Sequence, residues 1–220
     1  MATKTYFSYL ILILLTFSVL AKNDQQQLTE WTIENEKKLL SDFPTVESSW
    51  FEKTCLELAK SMRFNQLTQC KLFKSDHINA YVFNNGHVYF STSMMELINN
   101  KHQWAAILAH EYAHIELGHY LQTLKKIKNP GFFFPKKKIK TLIKKNEQSA
   151  DKWSEMTLQE FGYKYNQIVY FFKRLKTSQG ENRNKTHLKL SKRIKNTKQP
   201  EIIDKPLADK LQQLQNNLSV

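Results

Sequence analysis

The stretch AILAHEYAHIELGH, residues 106–119, holds three histidines and two glutamates. On a helix, His110 and His114 stand about 40° apart around the axis and about 6 Å apart along it, so both imidazoles can reach one ion. Glu111 is turned about 100° from His110 and stands beside that ion, where a base acting on water belongs. Histidines at i and i+4 with this intervening glutamate are the arrangement of a hydrolytic zinc site. The bland alternative, core histidines bonded to carbonyls, weakens once a third ligand is at hand.

NEQSADKW, residues 146–153, supplies one. Glu147 and Asp151 are one turn apart at the expected start of a helix. Glu147 as carboxylate ligand completes a two-histidine, one-glutamate set for one Zn²⁺ per chain, with one position left open. Asp151 can accept the ring N–H of a liganding histidine, His110 first, and fix its tautomer. The competing reading is an ordinary acidic helix start, which the helix dipole favours in any protein. His119 is excluded as a ligand, because on a continuous helix it points about 180° away from His110, and is read as structural. His77, His87 and His102 show no partner pattern and are assigned to the surface.

These residues need elements to position them. A helical pattern runs from Glu30 to Arg63 and is interrupted at SDFPTV, where Pro44 disfavours helix at Phe43. TQCKLF alternates as a strand, and NAYVFNNGHVYFS reads as two strands joined at Asn85–Gly86. TSMMELINN is a helical turn, and a long helix is expected from Gln103 to Lys125. Its apolar stripe is Trp104, Leu108, Tyr112 and Ile115. NPGFFFPKKKIKTLIKK reads as a basic loop or broken segment, followed by a helix from Asn146 to a terminating Gly162. NQIVYFFKRLK is a further amphipathic helix, and a polar segment follows Pro200. Helices, a small antiparallel sheet, then helices make an α+β domain, mainly α. The strand at Asn79, Ala80 and Tyr81, if it lies at a sheet edge, can pair with an extended substrate.

The chain has 220 residues, 41% hydrophobic, enough for one domain with a real core. Residues 1–21 are expected to be a cleaved signal peptide: Lys4 leads an apolar run, and Val19 and Ala21 suit cleavage before Lys22. An uncleaved membrane anchor is the alternative. Export makes a disulfide between Cys55 and Cys70 possible, and neither cysteine has a catalytic signature. The formal net charge of +13 points to anionic surfaces. Nucleic acid is not expected as a partner, since no recognition motif is present.

Three segments resemble one family. INAYVFNNGHVYFSTSMM, WAAILAHEYAHIELGH and NEQSADKWSEMTLQEFGY are similar to the gluzincin metallopeptidases of the HtpX-like and BepA-like type, which include prenyl-protein proteases and mitochondrial Oma-type enzymes. THLKLSKRI resembles that family's His-Pro motif with an arginine six positions on, although Leu188 stands where proline is usual. The resemblance implies a zincin-type domain over residues 42–197, preceded by a helical extension at 22–41 and followed by a polar tail at 198–220. It implies a zinc endopeptidase of the periplasm in protein quality control, acting on unfolded or misfolded polypeptide. His187 is implied to bind the oxyanion or cap the metal, and Arg193 to support the site. Phe132, Phe133 and Phe134 with nearby lysines lie where a lid or membrane-contacting loop would be useful. A non-catalytic, chaperone-like or surface-binding protein on the same fold is the alternative. Oligomeric state is left open.

Overall fold

The computed structural model describes residues 3–129, 135–179, 193 and 199–216, the side chains of 3–22, 135, 215 and 216 excepted. Its order is α1 (Thr3–Asp42), β1 (Thr45–Val46), α2 (Ser49–Ser61), β2 (Gln69–Phe73), β3 (Ala80–Val82), β4 (His87–Ser91) and α3 (Thr92–Met95). Then come α4 (Lys101–Glu116), α5 (His119–Lys128), α6 (Pro135–Glu160), a 3₁₀ turn (Tyr165–Gln167), α7 (Ile168–Gln179) and α8 (Lys205–Asn216). The fold is α+β and mostly helical, as expected.

The sheet runs β1-β2-β4-β3 and is mixed rather than wholly antiparallel. β3 and β4 form the expected hairpin, Gly86 turning at φ 84°. That hairpin inserts β4 beside β2 in parallel register, Leu72 opposite Phe90, and leaves β3 on the edge. A period-2 pattern marks strands but carries no information on their relative direction.

Cys55 of α2 and Cys70 of β2 form a disulfide, with Cα atoms 6.1 Å apart. It crosses a core in which Phe51 stacks on Trp104 at 5.2 Å between ring centres. Trp104, Leu108, Tyr112 and Ile115 are all buried, which seats the stripe of α4 against α2, the sheet and the helices that follow. Tyr112 lies between Phe64, 4.3 Å away, and Trp153 of α6, 5.9 Å away. This aromatic stack sets the spacing of α4 and α6, and thereby what faces what across them.

Two expected helix boundaries move. The long helix does not reach Lys125 unbroken: α4 ends at Glu116, and Gly118, at φ 64°, reverses the path before α5 begins. That left-handed conformation costs any other residue about 1–2 kcal/mol. α6 begins not near Asn146 but at Pro135, so the lysine-rich segment is helical. Proline suits the first helical turn, where its missing N–H is not needed. α6 ends at Glu160, ahead of Gly162 at φ 75°.

The termini are not appendages. Within α1, Leu28, Thr32 and Leu39 are buried. Glu36 accepts hydrogen bonds from His87 (2.6 Å), Tyr89 (2.7 Å) and Asn85 (2.8 Å), clasping the β3–β4 hairpin. His87 therefore has a partner that its spacing did not reveal. The segment from 199 is not a polar tail: Leu211 is fully buried. Glu201 pairs with Arg174 at 2.6 Å and accepts from Gln103 at 2.8 Å. Asn100, whose side chain caps α4, donates to the Ile202 carbonyl at 2.6 Å.

Candidate metal centre

His110 and His114 project from α4 toward Glu147, which sits in the middle of α6 rather than at a helix start. The dipole explanation for that acid therefore falls away. His110 Nε2 lies 3.4 Å from His114 Nε2 and 3.5 Å from Glu147 Oε2. His114 Nε2 lies 3.5 Å from Glu147 Oε1. A tetrahedral zinc with bonds of about 2.0–2.1 Å needs its ligand atoms about 3.3 Å apart. Two imidazole nitrogens facing the two oxygens of one carboxylate at these separations can hold that ion. His110 and Glu147 are 5% and 6% exposed, so the donors are held away from bulk water.

The outer atoms of both imidazoles are also engaged. Asp151, one turn after Glu147, takes His110 Nδ1 at 2.9 Å. Arg193 donates to the same Asp151 oxygen at 2.6 Å and lies over the Phe172 ring at 4.2 Å. Burial alone would raise the Asp151 carboxyl, but hydrogen bonds from His110 and Arg193 and their charges hold it below its usual 3.8. For His110 burial works against the proton, yet the bonds to Asp151 and Glu147 outweigh it and lift the ring to about 9. A proton and a metal thus compete for one strongly basic nitrogen.

His114 is backed differently, and the sequence did not reveal how. Because Gly118 turns the chain, His119 does not point away. Its Nδ1 lies 3.1 Å from His114 Nδ1, and its Nε2 lies 3.0 Å from Ser149 Oγ on α6. Ligation through His114 Nε2 leaves the proton on Nδ1, which then donates to His119 Nδ1. His119 must carry its own proton on Nε2 and donate to Ser149, whose hydroxyl donates to the Asn146 carbonyl at 2.9 Å. His119 is 4% exposed, and burial holds it below the usual imidazole range, consistent with a neutral ring. One ligand leans on a carboxylate and the other on a neutral imidazole. The glycine immediately before His119 was the available signal.

Glu111, next to the first ligand and 6% exposed, lines both cavities that open at the cluster. Asn79 and Ala80 line both as well, so the β3 edge borders the site. The Asn79 carbonyl accepts from Ser91 N and Phe83 N donates to the His87 carbonyl, so odd-numbered residues face β4. By strand alternation, Ala80 and Val82 turn their backbone groups outward. The Tyr120 hydroxyl donates to the Val82 carbonyl and ends the edge there. Burial, with Glu111 and Glu147 nearby, keeps Tyr120 protonated. Trp31 of α1 packs on Tyr120 at 5.6 Å. Tyr81, third of the expected substrate-strand residues, is half-exposed and lines the cavity on the His114 side.

Of the expected site residues, the structure brings His110, Glu111, His114, Glu147, Asp151 and Arg193 together, with Asn79 to Tyr81 alongside. His187 and Phe132, Phe133 and Phe134 lie outside the described residues. His102 accepts from Lys164 N at 3.4 Å, away from the cluster.

Residues 46–134 match the family model described as Peptidase family M48. That match supports a place among the M48 metallopeptidases. It stops short of Glu147 and Asp151, so the third ligand rests on the geometry of α6. No curated protein matches the chain.

Proposed function

We propose that this chain is an exported zinc-dependent endopeptidase that cleaves extended, unfolded polypeptide in the cell envelope, as part of protein quality control. The observation that carries the reading is the triangle of His110, His114 and Glu147 with Glu111 at its side. Zinc, when bound, supplies Lewis acidity that polarises a carbonyl and makes water acidic near neutral pH. Glu111 takes the proton from the attacking water and returns it to the leaving amine. Asp151 and His119 hold the two ligand rings in the tautomers that leave Nε2 available. Ala80 offers outward backbone groups to a substrate strand, and main-chain pairing of that kind accepts many sequences only if they are extended. His187 would add a hydrogen bond to the oxyanion in this reading.

The test is Glu111→Gln, which should keep stoichiometric zinc and lose cleavage of an unfolded protein. Glu147→Ala should lose both. Cleavage unchanged in Glu111→Gln would remove the base, and wild type free of zinc after chelator-free purification would remove the centre. Turnover absent in zinc-loaded wild type would favour a chaperone-like binder.

Export predicts a mature N-terminus at Lys22, read by sequencing protein from the envelope fraction; an intact Met1 would mean an anchor. Lysines from Lys125 to Lys145, with no acidic residue among them, favour contact with an anionic membrane surface. Phe132, Phe133 and Phe134 are the proposed apolar part of that contact.

A further inference from the structure

Glu111, Asn79 and Ala80 stand between two cavities of unequal size. The one on the His110 side has a volume of about 50 Å³ and is walled by Met94, Ile107, Ile168, Phe171 and Leu175. The one on the His114 side has about 210 Å³ and is walled by Trp31, Tyr81, Tyr120 and Ile143. Two of the polar groups that border the smaller cavity are engaged with Asp151. Arg193 is neutralised by Asp151 at 2.6 Å, and Ser154 donates to the Asp151 carbonyl at 2.9 Å. A side chain entering there meets mostly hydrocarbon, with Glu111 and His110 on the side of the cluster.

We propose that the smaller cavity is a specificity pocket for a small aliphatic side chain beside the scissile bond, with Ala106 setting its depth. A bulky apolar or aromatic side chain is taken by the larger cavity across that bond. The inference rests on the endopeptidase reading above. An apolar cavity of about 150 Å³ holds benzene, so each carbon needs about 25 Å³. The smaller cavity then holds about two carbons beyond a Cβ at its mouth, which is valine; leucine exceeds it by about one and phenylalanine by about four. On the same scale the larger one holds about eight, enough for phenylalanine or tyrosine.

Ala106 lies one turn before His110, so its Cβ shares the ligand face of α4, and it borders the smaller cavity. It is 2% exposed. Any longer residue there would occupy the space that a substrate needs.

The experiment digests a defined peptide mixture with the zinc-loaded full chain and maps cleavage sites by mass spectrometry. Wild type should prefer valine over leucine at one position flanking the cut by about 10-fold or more, the discrimination one extra methylene gives. Aromatic residues should be favoured on the other side. Ala106→Val should shift the first preference to glycine and alanine. Leu175→Ala, a change at a half-buried position, should admit leucine. Zinc content is measured on both variants, and if one fails to fold the other decides. Leucine and phenylalanine accepted as well as valine by wild type, or a size preference unmoved by either variant, would overturn the pocket. No peptide cleaved by wild type would instead overturn the endopeptidase reading itself.

Discussion

Replacing His119 by phenylalanine separates a designed support for the metal from simple helix packing. The ring shape is kept, but the acceptor for His114 Nδ1, 3.1 Å away, is lost, as is the donor to Ser149 at 3.0 Å. Ser149 keeps its bond to the Asn146 carbonyl, so most of the loss falls on His114. Removing the acceptor from a buried N–H costs about 1–3 kcal/mol. With tenfold per about 1.4 kcal/mol, zinc affinity should fall about 10- to 100-fold, the range found for partners of liganding histidines. His119→Gln, whose amide oxygen can accept, should recover most of it. Competition with a chromophoric chelator reads the affinity, and melting of the metal-free proteins reads the fold. Wild-type affinity in His119→Phe would refute the relay, and equal weakness in phenylalanine and glutamine variants would reduce His119 to packing.

Asp151→Asn keeps an acceptor for His110 but loses the charge, so zinc affinity or turnover should fall about 10- to 100-fold while circular dichroism stays native; wild-type values would refute the role. Serine at both Cys55 and Cys70 should cost about 3 kcal/mol, as for a loop of 15 residues; denaturant titration measures it, and an unchanged midpoint would show that the bond does not constrain the unfolded chain. Gly118→Ala should cost about 1–2 kcal/mol through its φ of 64° alone, since an added Cβ meets nothing within 4 Å. Gly86→Ala should be worse, because its Cβ would run into the Gln66 carbonyl. Burial would raise Glu36, but bonds from Tyr89, His87 and Asn85 hold it below 4.5 in the folded protein. Its contribution is therefore full above the unfolded value and lost as pH falls through the folded one. Glu36→Gln should flatten the acid limb of melting temperature below about pH 4.5, and an unchanged limb would refute that assignment.

The helical period made the site legible where one helix carried the geometry. His110, Glu111 and His114 follow from spacing, and Asp151 follows Glu147 by one turn. The surroundings of Glu147 were misread because a run of lysines after Pro135 looks like a broken segment. Ile139, Leu142 and Ile143 nevertheless keep a helical pattern through it. His119 was misplaced because one glycine within a periodic stretch can be tolerated or can end a helix, and only its φ decides. Strand direction, the Glu36 clasp and the burial of Leu211 depend on residues distant in sequence. No local pattern contains them.

The network around Glu201 has a consequence for biosynthesis. Gln103 is fully buried at the start of the ligand-bearing helix, and its partners Arg174 and Glu201 lie far downstream. Until Glu201 and Ile202 have left the ribosome, Asn100 and Gln103 lack these acceptors for their side-chain amides. The helix start then keeps its local Asn100 cap but lacks its ties to the rest of the fold, although His110, Glu111 and His114 have long since emerged. A nascent chain therefore carries its metal ligands well before it can hold them in register. On the endopeptidase reading, competence arrives only once residues 201 and 202 have joined the fold.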